Sequence, residues 1–576
     1  MHILKISALL GGLLIFSLSA AAQSAGAPFS HPHAFTSPLH IPLLLAGNYG
    51  ELRPNHFHAG LDIKTQGRTG LPVYAAADGY ISRVAISNSG YGHVIYIQHP
   101  DGYTTVYGHL DRFMPALAAY VKQQQYAQQS WAIDLTLNPQ QFPVHRGQLI
   151  AWSGNTGAAV GPHLHFEIRN TPTQTPLNPQ LFGLPVEDHI PPTVYRIAIY
   201  DRDKSMYLQR PLQLPVHLVQ GQWTTKPSEI LVNATHIGIG MQVLDHENGT
   251  SNSFGIYEAR LDDNGQPVAA FRLDSIPFSL TEDVNAHMDY QTWREDGRPY
   301  QLFFPLPGNR LPIYQLYSPH GIIDLSDGKL HHLSLTVKDA SGNTRVVRFS
   351  VRQRPGLNAQ PSPSPNCISP MRPGQHNIVD EPALSFDLPP DALYDAICFR
   401  FSIDSSRYPQ LLAPVYHLSP ATIPMKTDFT LYLKPWPDIP EPLLNKLVII
   451  RKAPGEQEIT MAEQTSNGWI AGRFRGFGDF EVKADTVAPL IKPLAKLYPG
   501  IKLSHAREIR FRVSDNLSGV ASYEAELDGK WLLMGQFRNT IYYTFDEHCP
   551  PGRHTLVIRV SDRAKNTRTY ELHFIR

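Results

Sequence analysis

Two histidines stand two residues apart in the segment 161-GPHLHFEIRN-170. The composition of this segment is typical of a β-strand, in which residues i and i+2 point to the same face, so His163 and His165 project side by side. Histidine is the commonest metal ligand near neutral pH, and two imidazoles placed in this way can reach one common point. The pair alone also fits two polar residues on an edge strand. It indicates a metal site only if further ligands are found elsewhere in the chain.

A second cluster, 53-RPNHFHAGLDIKT-65, offers such ligands in His58 and Asp62. Gly60 and the flanking Pro and Asn residues disfavour a helix, and in an extended segment residues four apart share a face. One histidine and one carboxylate from this cluster, with one histidine of the H-x-H pair, make a set of two nitrogen ligands and one oxygen ligand. That set is typical of a catalytic zinc ion, which keeps a fourth position for water. His56 lies two residues before His58, on the same face of an extended segment, and can replace His58 in this hypothesis.

A third element, 102-GYTTVYGHL-110, places His109 at the end of a strand. An uncoordinated histidine beside a metal-bound water can accept a proton or stabilise the charge that develops during hydrolysis. Glu167 lies on the same face of the predicted strand as His163 and His165. Two interpretations stay open for it: a partner that orients a ligand imidazole, or a surface carboxylate. The 154-GNTG-157 loop has no following Lys-Ser/Thr, so it indicates a turn and not a phosphate-binding loop.

The elements that must position these residues are short strands. Runs rich in Val, Ile and Tyr alternate with Asp-Gly, Ser-Gly and Asn-Thr-Gly turns, and HPDGYTT is typical of a hairpin with its turn at Asp101-Gly102. PALAAYVKQQQYAQQ, residues 115–129, predicts a helix inserted between two strands. We expect three other histidines of this region, His93, His99 and His145, to be surface or hairpin residues.

Four motifs in this order resemble the M23 metallopeptidases, the lysostaphin- and LytM-type zinc endopeptidases that cut peptidoglycan peptides. They are H-x-x-x-D, Y-x-H-L, S-G-N-T-G and G-P-H-L-H-F-E, and the resemblance covers roughly residues 40–172. The resemblance implies a zinc ion held by His58, Asp62 and His165. It also implies that His109 and His163 are the unmetallated catalytic pair and that the substrate is a peptidoglycan peptide. The sequence departs from the family by an insertion near 117–142, and whether it lines or caps the substrate groove is left open by the sequence.

The rest of the chain repeats itself after residue 190. The segment from Asp188 matches the segment from Asp485, and 243–262 matches 513–528. LHHLSLTVKDASGNTRVVRFSV (330–351) matches GRHTLVIRVSDRAKNTRTYELHF (552–574). A repeated strand-rich unit predicts two related β-sandwich modules that resemble immunoglobulin-like domains. A Pro/Ser-rich linker and a further strand-rich stretch lie between them.

The 576-residue chain is too long for a single core. Its fold class is predicted to be mainly β, with an N-terminal antiparallel β-sheet metallopeptidase domain followed by about three β-sandwich domains. The 50 prolines favour short strands and turns over long helices. The predicted division is signal peptide 1–22, M23-like domain 23–190, Ig-like sandwich 191–353, linker 354–378, β domain 379–485 and Ig-like sandwich 486–576.

The N-terminal segment, the net charge and the cysteines of the chain indicate its location and its class of partner. Lys5, an apolar run from Ala8 and a small-residue stretch ending at Ala22 are typical of a cleavable signal peptide. We therefore expect a secreted or periplasmic protein without a transmembrane segment in the mature chain. Fifty basic and fifty acidic residues give a formal charge of zero, which offers no sign of nucleic-acid binding. The three cysteines are too few and too scattered for a disulfide framework, although Cys367 and Cys398 can pair.

These observations predict a secreted zinc endopeptidase that hydrolyses peptidoglycan peptides. One alternative is a catalytically inactive peptidoglycan-binding or regulatory protein of the same fold. Another is a cell-surface scaffold in which the β modules carry the function. Degenerate domains usually lose metal ligands, and here every expected position is filled, which favours the enzyme.

Overall fold

The computed structural model describes residues 35–356, 367–465 and 467–576, and most of its regular structure is β-strand. The expected signal peptide and residues 357–366 of the Pro/Ser-rich segment lie outside the described residues. Within the described ranges, no helix is both long enough and apolar enough to cross a membrane. The prediction of a mainly β chain with an antiparallel N-terminal sheet is confirmed.

Residues 35–190, which we call the N-terminal domain, contain fourteen strands. In chain order these are β1 Leu45–Gly47, β2 Leu52–Arg53, β3 His56–Phe57, β4 Leu61–Lys64, β5 Pro72–Tyr74, β6 Gly79–Ile86, β7 His93–Gln98, β8 Tyr103–Gly108, β9 Leu110–Phe113, β10 Ile133–Thr136, β11 Pro143–Val144, β12 Leu149–Ser153, β13 His163–Asn170 and β14 Pro176–Leu177.

The main sheet of the N-terminal domain has the order β1-β4-β13-β8-β7-β6-β10, with β11 added to β6 and β14 added to β13. A smaller sheet has the order β5-β12-β9, and β2 and β3 form a separate hairpin. The pairing of β4 with β13 joins the two histidine-bearing clusters of the sequence across one antiparallel ladder. The site is therefore built on the middle of the sheet, where neighbouring strands fix each backbone on both sides.

The one long helix of this domain is α1, Pro115–Gln128, as the sequence predicted. Proline is tolerated in the first helical turn, and Gln129 ends the helix in the left-handed conformation with φ 47°. Leu117, Val121 and Gln125, spaced four apart, form its buried face.

The first β module, residues 191–353, has twelve strands joined in one sheet. They are Thr193–Asp201, Leu212–Val219, Gln222–Thr225, Glu229–Val232, His236–Leu244, Glu258–Asp263, Gln266–Arg272, Gln301–Leu302, Tyr314–Leu316, Ile323–Asp324, His331–Lys338 and Thr344–Gln353. Two short helices, Val284–His287 and Tyr290–Asp296, follow the 3-10 turn Phe278–Asp283.

The N-terminal domain and the first β module share one continuous hydrophobic core. Leu177 forms a bridge with Ser275, and Asn178 N–H donates to Asp274 O at 2.9 Å. The side chain of Asn48 donates to Gly255 O at 2.8 Å and accepts from Gly255 N–H at 2.9 Å. The sequence treated these regions as separate domains, and the structure joins them through buried apolar contacts and paired backbone groups.

The middle segment has its own core, two five-stranded sheets and one two-stranded sheet. Its strands are Ser369–Met371, Asn377–Glu381, Leu384–Leu388, Ile397–Phe399, Phe401–Asp404, Val415–Leu418, Phe429–Leu433, Leu447–Ala453, Glu456–Met461, Glu463–Gln464, Ile470–Phe474 and Gly478–Ala484, and its helix is Glu441–Leu444. Regular structure thus begins at Ser369, before the expected boundary at 379. A disulfide joins Cys367 to Cys398, with their Cα atoms 5.2 Å apart.

The second β module, residues 486–576, forms a third core between a four-stranded and a five-stranded sheet. Its strands are Leu490–Pro493, Ile501–Lys502, Glu508–Ser514, Val520–Leu527, Lys530–Trp531, Gly535–Phe537, Thr540–Thr544, Arg553–Asp562 and Thr567–Ile575. Arg538 of this module donates to Ala159 O at 3.2 Å, so the second β module contacts the N-terminal domain.

Candidate active site

Three donor atoms from His58, Asp62 and His165 converge at one point on the sheet. His58 Nε2 lies 3.1 Å from Asp62 Oδ1 and 3.1 Å from His165 Nδ1, and His165 Nδ1 lies 2.9 Å from Asp62 Oδ1. All three residues are buried. The spacing is close to the roughly 3.3 Å that separates two ligand atoms of a tetrahedral zinc ion with bonds of about 2.0 Å.

The register of the sheet brings this triangle together. His165 on β13 lies directly opposite Asp62 on β4, and His58 precedes β4 in the same extended segment. Gly60, between the two upstream residues, has no room for a side chain, because a Cβ there would lie 2.3 Å from Phe166 O. The glycine of the H-A-G-L-D motif therefore allows β4 and β13 to approach closely enough for the triangle to form.

Hydrogen bonds on the far side of each imidazole fix its orientation. His58 Nδ1 lies 2.7 Å from Asn48 O, a carbonyl that can only accept, so this nitrogen carries the proton and Nε2 keeps its lone pair. His165 Nε2 lies 2.8 Å from Glu167 Oε1, and Arg169 Nε donates to Glu167 Oε2 at 2.6 Å. Glu167 has no exposed surface, so of the two interpretations of this residue the buried partner of a histidine is the one observed.

The electrostatics of the triangle favour a positive charge at its centre. Burial lowers the pKa of His58 to about 4. Burial also acts to lower the pKa of His165, but its hydrogen bonds to Asp62 and Glu167 prevail and raise it to about 9. Burial acts against ionisation of Asp62, yet the surrounding histidines hold the pKa of this carboxyl well below its usual range. Two imidazole nitrogens and a carboxylate oxygen at about 3 Å need a proton or a metal cation between them. The donor set therefore fits a metal ion with nitrogen and oxygen ligands.

Two further histidines, His109 and His163, flank the triangle. Their ring centroids are 4.7 Å apart, and His163 Nε2 lies 3.4 Å from Asp62 Oδ1. His109 Nδ1 bonds to Thr156 O at 2.9 Å and His163 Nδ1 bonds to Gly161 O at 2.8 Å. Each carbonyl holds the proton on Nδ1, so Nε2 of each ring is the atom left for proton transfer.

His109 adopts a backbone conformation that few residues other than glycine take. Its φ is 59°, between β8 and β9, where the chain passes from the main sheet to the smaller sheet. This left-handed conformation costs on the order of 1 kcal/mol for a residue with a side chain. The neighbouring ladders hold the residue there, with its ring 5.8 Å from the ring of His165.

Comparison with known families identifies this region. Residues 56–133 match the sequence family described as Peptidase family M23, and residues 369–485 match the family described as Zu5-like domain. The chain contains an M23 peptidase domain. The matched range holds His58, Asp62 and His109, and β13 of the same sheet adds His163 and His165.

Curated relatives of the M23 domain are bacterial. The chain is 36% identical over 118 residues to the peptidoglycan DD-endopeptidase ShyB of Vibrio cholerae, which is 20% of this chain and 21% of that protein. It is 29% identical over 163 residues to the DD-carboxypeptidase/endopeptidase Mpg of Neisseria meningitidis, 28% of this chain and 31% of that protein. An uncharacterized metalloprotease of Haemophilus influenzae is 33% identical over 135 residues, 23% of this chain and 22% of that protein. The chain thus spans about a fifth to a third of each of these relatives.

Solved structures similar to the chain include the catalytic domain of lysostaphin from Staphylococcus simulans. The match has 27% identity and a TM-score of 0.18, and it covers 23% of this chain and 87% of that one. A zinc-containing peptidase from Vibrio cholerae matches with 28% identity and a TM-score of 0.19, over 26% of this chain and 39% of that one.

A cavity of about 740 Å³ opens over the M23 site. Its lining includes His58, Asp62, His109, His163 and His165. His56 also lies in the cavity wall, but it is an exposed residue outside the donor triangle. The alternative in which His56 takes the place of His58 is therefore not the arrangement observed.

Part of the cavity wall comes from outside the M23 domain. Phe278 and Thr281 of the first β module line the cavity, and Thr281 Oγ1 accepts a hydrogen bond from Phe57 N–H at 2.9 Å. The guanidinium of Arg169 lies 4.7 Å from the centre of the Phe278 ring. The cleft is thus formed jointly by the M23 domain and the 3-10 turn of the first module.

The insertion near 117–142 does not contribute to this wall. None of the described residues that line the cavity comes from the insertion. Instead, Lys122 forms ion pairs with Asp546 and Glu547 at 2.7 and 2.8 Å, and Tyr126 stacks on His548 with ring centroids 3.9 Å apart. The insertion therefore packs against the second β module and does not line this cavity.

The remaining histidines of the M23 domain do not join the triangle. His145 is exposed and His93 is half-buried. His99 lies at the β7–β8 hairpin, as expected, but it is buried, with Nδ1 2.8 Å from Asp78 O and Nε2 2.8 Å from Thr105 Oγ1. The hydrogen bonds of His99 indicate a structural role.

Sequence reasoning missed several residues of the site. Arg53 donates to Asp62 Oδ2 at 2.6 Å and so holds the carboxylate oxygen that faces away from the triangle. Arg169 continues the alternation of His165 and Glu167 along β13, a signal that could have identified it. Phe278 and Thr281 carry no such signal, because they are more than a hundred residues away from the motifs.

Proposed function

We propose that this protein is a zinc-dependent endopeptidase that hydrolyses peptide bonds in peptidoglycan outside the cytoplasm. The observation that carries the proposal is the triangle of His58, Asp62 and His165, with His109 and His163 beside it. The M23 domain and the names of the relatives support peptidoglycan as the substrate class. The expected signal peptide supports a secreted or periplasmic location.

In this proposal His58 Nε2, Asp62 Oδ1 and His165 Nδ1 hold the zinc ion. When bound, zinc lowers the pKa of a water molecule to about 7 and polarises the scissile carbonyl group. Asn48 and Glu167 keep the lone pairs of the two imidazoles directed inward, and Arg53 holds Oδ2 of Asp62 so that Oδ1 is directed inward. These contacts set the geometry before substrate arrives, which lowers the reorganisation needed during the reaction.

His109 and His163 move the protons. Burial, reinforced by the charges of His165 and His163, lowers the pKa of His109 to about 3, so this imidazole is neutral at physiological pH with the lone pair on Nε2. A neutral imidazole in this position accepts a proton from the attacking water at Nε2. The other imidazole of the pair stabilises the oxyanion or donates a proton to the leaving amine. Hydrolysis breaks the C–N bond and yields a carboxylate and an amine.

The decisive experiment is digestion of purified, defined peptidoglycan, followed by mass spectrometry of the released fragments. Wild-type protein should release peptide-cleaved muropeptides, a chelator should stop the release, and zinc should restore it. His58→Ala should release none, and His145→Ala, which changes an exposed histidine of the same domain, should behave as wild type. Unchanged release by His58→Ala would contradict the proposal. Wild-type protein that binds sacculi but releases nothing with zinc restored would establish a binding protein instead.

A further inference from the structure

Four carboxylates are buried together where the N-terminal domain meets the first β module. We call Asp188, Asp245, Glu247 and Asp339 the acidic junction cluster, and each is at most 6% exposed. One oxygen from each of the three aspartates lies within 4.8 Å of the others. Glu247 accepts a hydrogen bond from Gln180 of the N-terminal domain at 3.3 Å, which places the cluster at the junction of the two.

The groups that face these carboxylates are neutral. Asn343 donates from its side chain to Asp339 Oδ2 at 2.8 Å and to Asp188 Oδ2 at 3.3 Å, and from its backbone to Asp339 Oδ1 at 2.9 Å. Ile190 N–H donates to Asp188 Oδ1 at 3.0 Å. Among the described residues, no lysine, arginine or histidine forms an ion pair with any member of the cluster. Four buried acidic groups without a counter-charge carry a large desolvation penalty.

Asp245 is less well satisfied than Asp188 and Asp339, and the backbone N–H of His246 is the neutral group that hydrogen-bonds to its carboxylate. Asp245 is 2% exposed, and its Oδ1 is buried without a hydrogen-bond partner in the described structure. Burial, reinforced by the charges of Asp339 and Asp188, raises the pKa of Asp245 to about 9, and burial likewise raises the pKa of Glu247 to about 8. An unpaired buried carboxylate oxygen that faces two other carboxylates is the arrangement that a cation would complete.

The same arrangement recurs in the second β module. Asp485, Asp515 and Asp562 stand at the matching positions of the repeat, again with one oxygen of each within 4.8 Å of the others, and Asp515 Oδ1 is again without a partner. Asn566 repeats the bonds of Asn343, donating to Asp562 Oδ2 at 2.8 Å and to Asp485 O at 3.0 Å. The triad of aspartates is therefore a feature that both copies of the repeat share.

The two aspartate clusters differ in the charged groups that lie next to them. In the second module Lys446 donates to Asn566 Oδ1 at 2.9 Å and to Ala564 O at 2.5 Å, so an ammonium group already lies next to the cluster. In the part of the chain that the structure describes, the acidic junction cluster has no comparable ammonium among its hydrogen-bonded neighbours.

We propose that the acidic junction cluster binds a divalent cation, and that Ca²⁺ is the ion it fits. The donors are all oxygens, which hard cations prefer, and separations of up to 4.8 Å between them suit metal–oxygen bonds of about 2.3–2.6 Å. Mg²⁺ needs a smaller octahedral shell at about 2.1 Å and retains its water more strongly. The bound ion neutralises the buried carboxylates and holds Asp188, at the entry to the module, against the loops that carry Asp245 and Asp339.

Calcium binding is measured by isothermal titration calorimetry on the full chain, stripped of metal and then reloaded with one equivalent of zinc. Wild-type protein should bind Ca²⁺ at least about tenfold more tightly than Mg²⁺. Asp245→Asn should weaken Ca²⁺ binding at the first module at least about tenfold, since the ion loses a charged ligand. Asp296→Asn, which changes an exposed aspartate of the same module, should leave binding unchanged. Absence of binding to wild type, or equal affinity and stoichiometry in Asp245→Asn, would overturn the proposal.

Thermal unfolding separates a ligand role from a structural role. Saturating Ca²⁺ should raise the Tm of wild-type protein by about 5 °C. Without Ca²⁺, Asp245→Asn should melt at or above wild type, because it removes one of the mutually repelling acidic groups. With Ca²⁺ it should melt below wild type. A variant that melts lower than wild type to the same extent in both buffers would show that Asp245 only supports the fold, and the proposal would be wrong.

Discussion

The carboxylate of Glu167 accepts a hydrogen bond from Nε2 of His165 at 2.8 Å, from a position two residues further along the same strand. Strand alternation puts both side chains on one face, and Arg169, two residues further again, holds the other oxygen of Glu167. The strand thus carries a line of three residues in which an arginine fixes a carboxylate and the carboxylate fixes an imidazole.

Replacement of Glu167 by glutamine should weaken zinc binding without unfolding the protein. Glutamine can still accept from His165, but it lacks the charge that makes the imidazole a stronger ligand. We expect zinc affinity to fall by about 10- to 100-fold. Competition with a chromogenic zinc chelator measures the change. Glu187→Gln is the matched control, since the Glu187 side chain is 80% exposed, and unaltered affinity in Glu167→Gln would contradict the role of Glu167.

Substitution of His165 and of His163 should have separable effects, although only one residue lies between them. His165→Ala removes a corner of the donor triangle and should lose both zinc and activity. His163→Ala leaves the triangle intact, so it should retain about one zinc per chain while kcat falls by about 10²- to 10⁴-fold. Metal analysis by mass spectrometry, together with the peptidoglycan digest, distinguishes the two. If His163→Ala loses zinc as readily as His165→Ala, the division of roles between them is wrong.

Stability should fall in acid partly because of His287. This residue is fully buried in a short helix of the first module, with Nδ1 2.8 Å from the Tyr314 hydroxyl, and burial lowers its pKa to about 4. Above its unfolded pKa of about 6.5 the residue is neutral in both states and its contribution is constant. Between pH 6.5 and 4 only the unfolded chain takes up the proton, so about 3 kcal/mol of stability is lost.

Urea unfolding of His287→Gln at pH 7 and at pH 4.5 tests this contribution. The variant should lose less stability than wild type over this range, because glutamine does not titrate. His505→Gln, a change at an exposed histidine, should lose as much as wild type. Identical pH dependence in His287→Gln and wild type would show that His287 does not control the loss.

The Cys367–Cys398 disulfide should stabilise the middle segment. It closes a loop with a sequence separation of 31 residues, for which loss of unfolded-chain entropy predicts about 3–4 kcal/mol. The double variant Cys367→Ser/Cys398→Ser should therefore unfold at lower denaturant concentration than oxidised wild type. A reducing agent should lower the denaturant midpoint of wild type to that of the variant and leave the midpoint of the variant unchanged. Equal stability of all forms would contradict a stabilising disulfide.

The sequence was sufficient to predict the local part of the site. The spacing of His163 and His165, and of His58 and Asp62, follows from strand alternation, and α1 follows from its composition. The register that sets His165 opposite Asp62 depends on pairing between strands about a hundred residues apart, which no local pattern encodes. The repeated D-x-x-x-N turns predicted two related modules. That Asp339 and Asp562 turn inward to meet other aspartates depends on loop packing that the repeat alone does not specify.

The shared cleft has a consequence for how this protein can change during evolution. Phe278 and Thr281 lie in a different part of the chain from the residues proposed to hold zinc and transfer protons, so mutations in the 3-10 turn can alter the cleft wall while those residues are inherited unchanged. An M23 domain recombined with another partner module would keep its chemistry and acquire a different cleft wall. Lineages that exchange the module are thus expected to diverge in substrate choice before they diverge in mechanism.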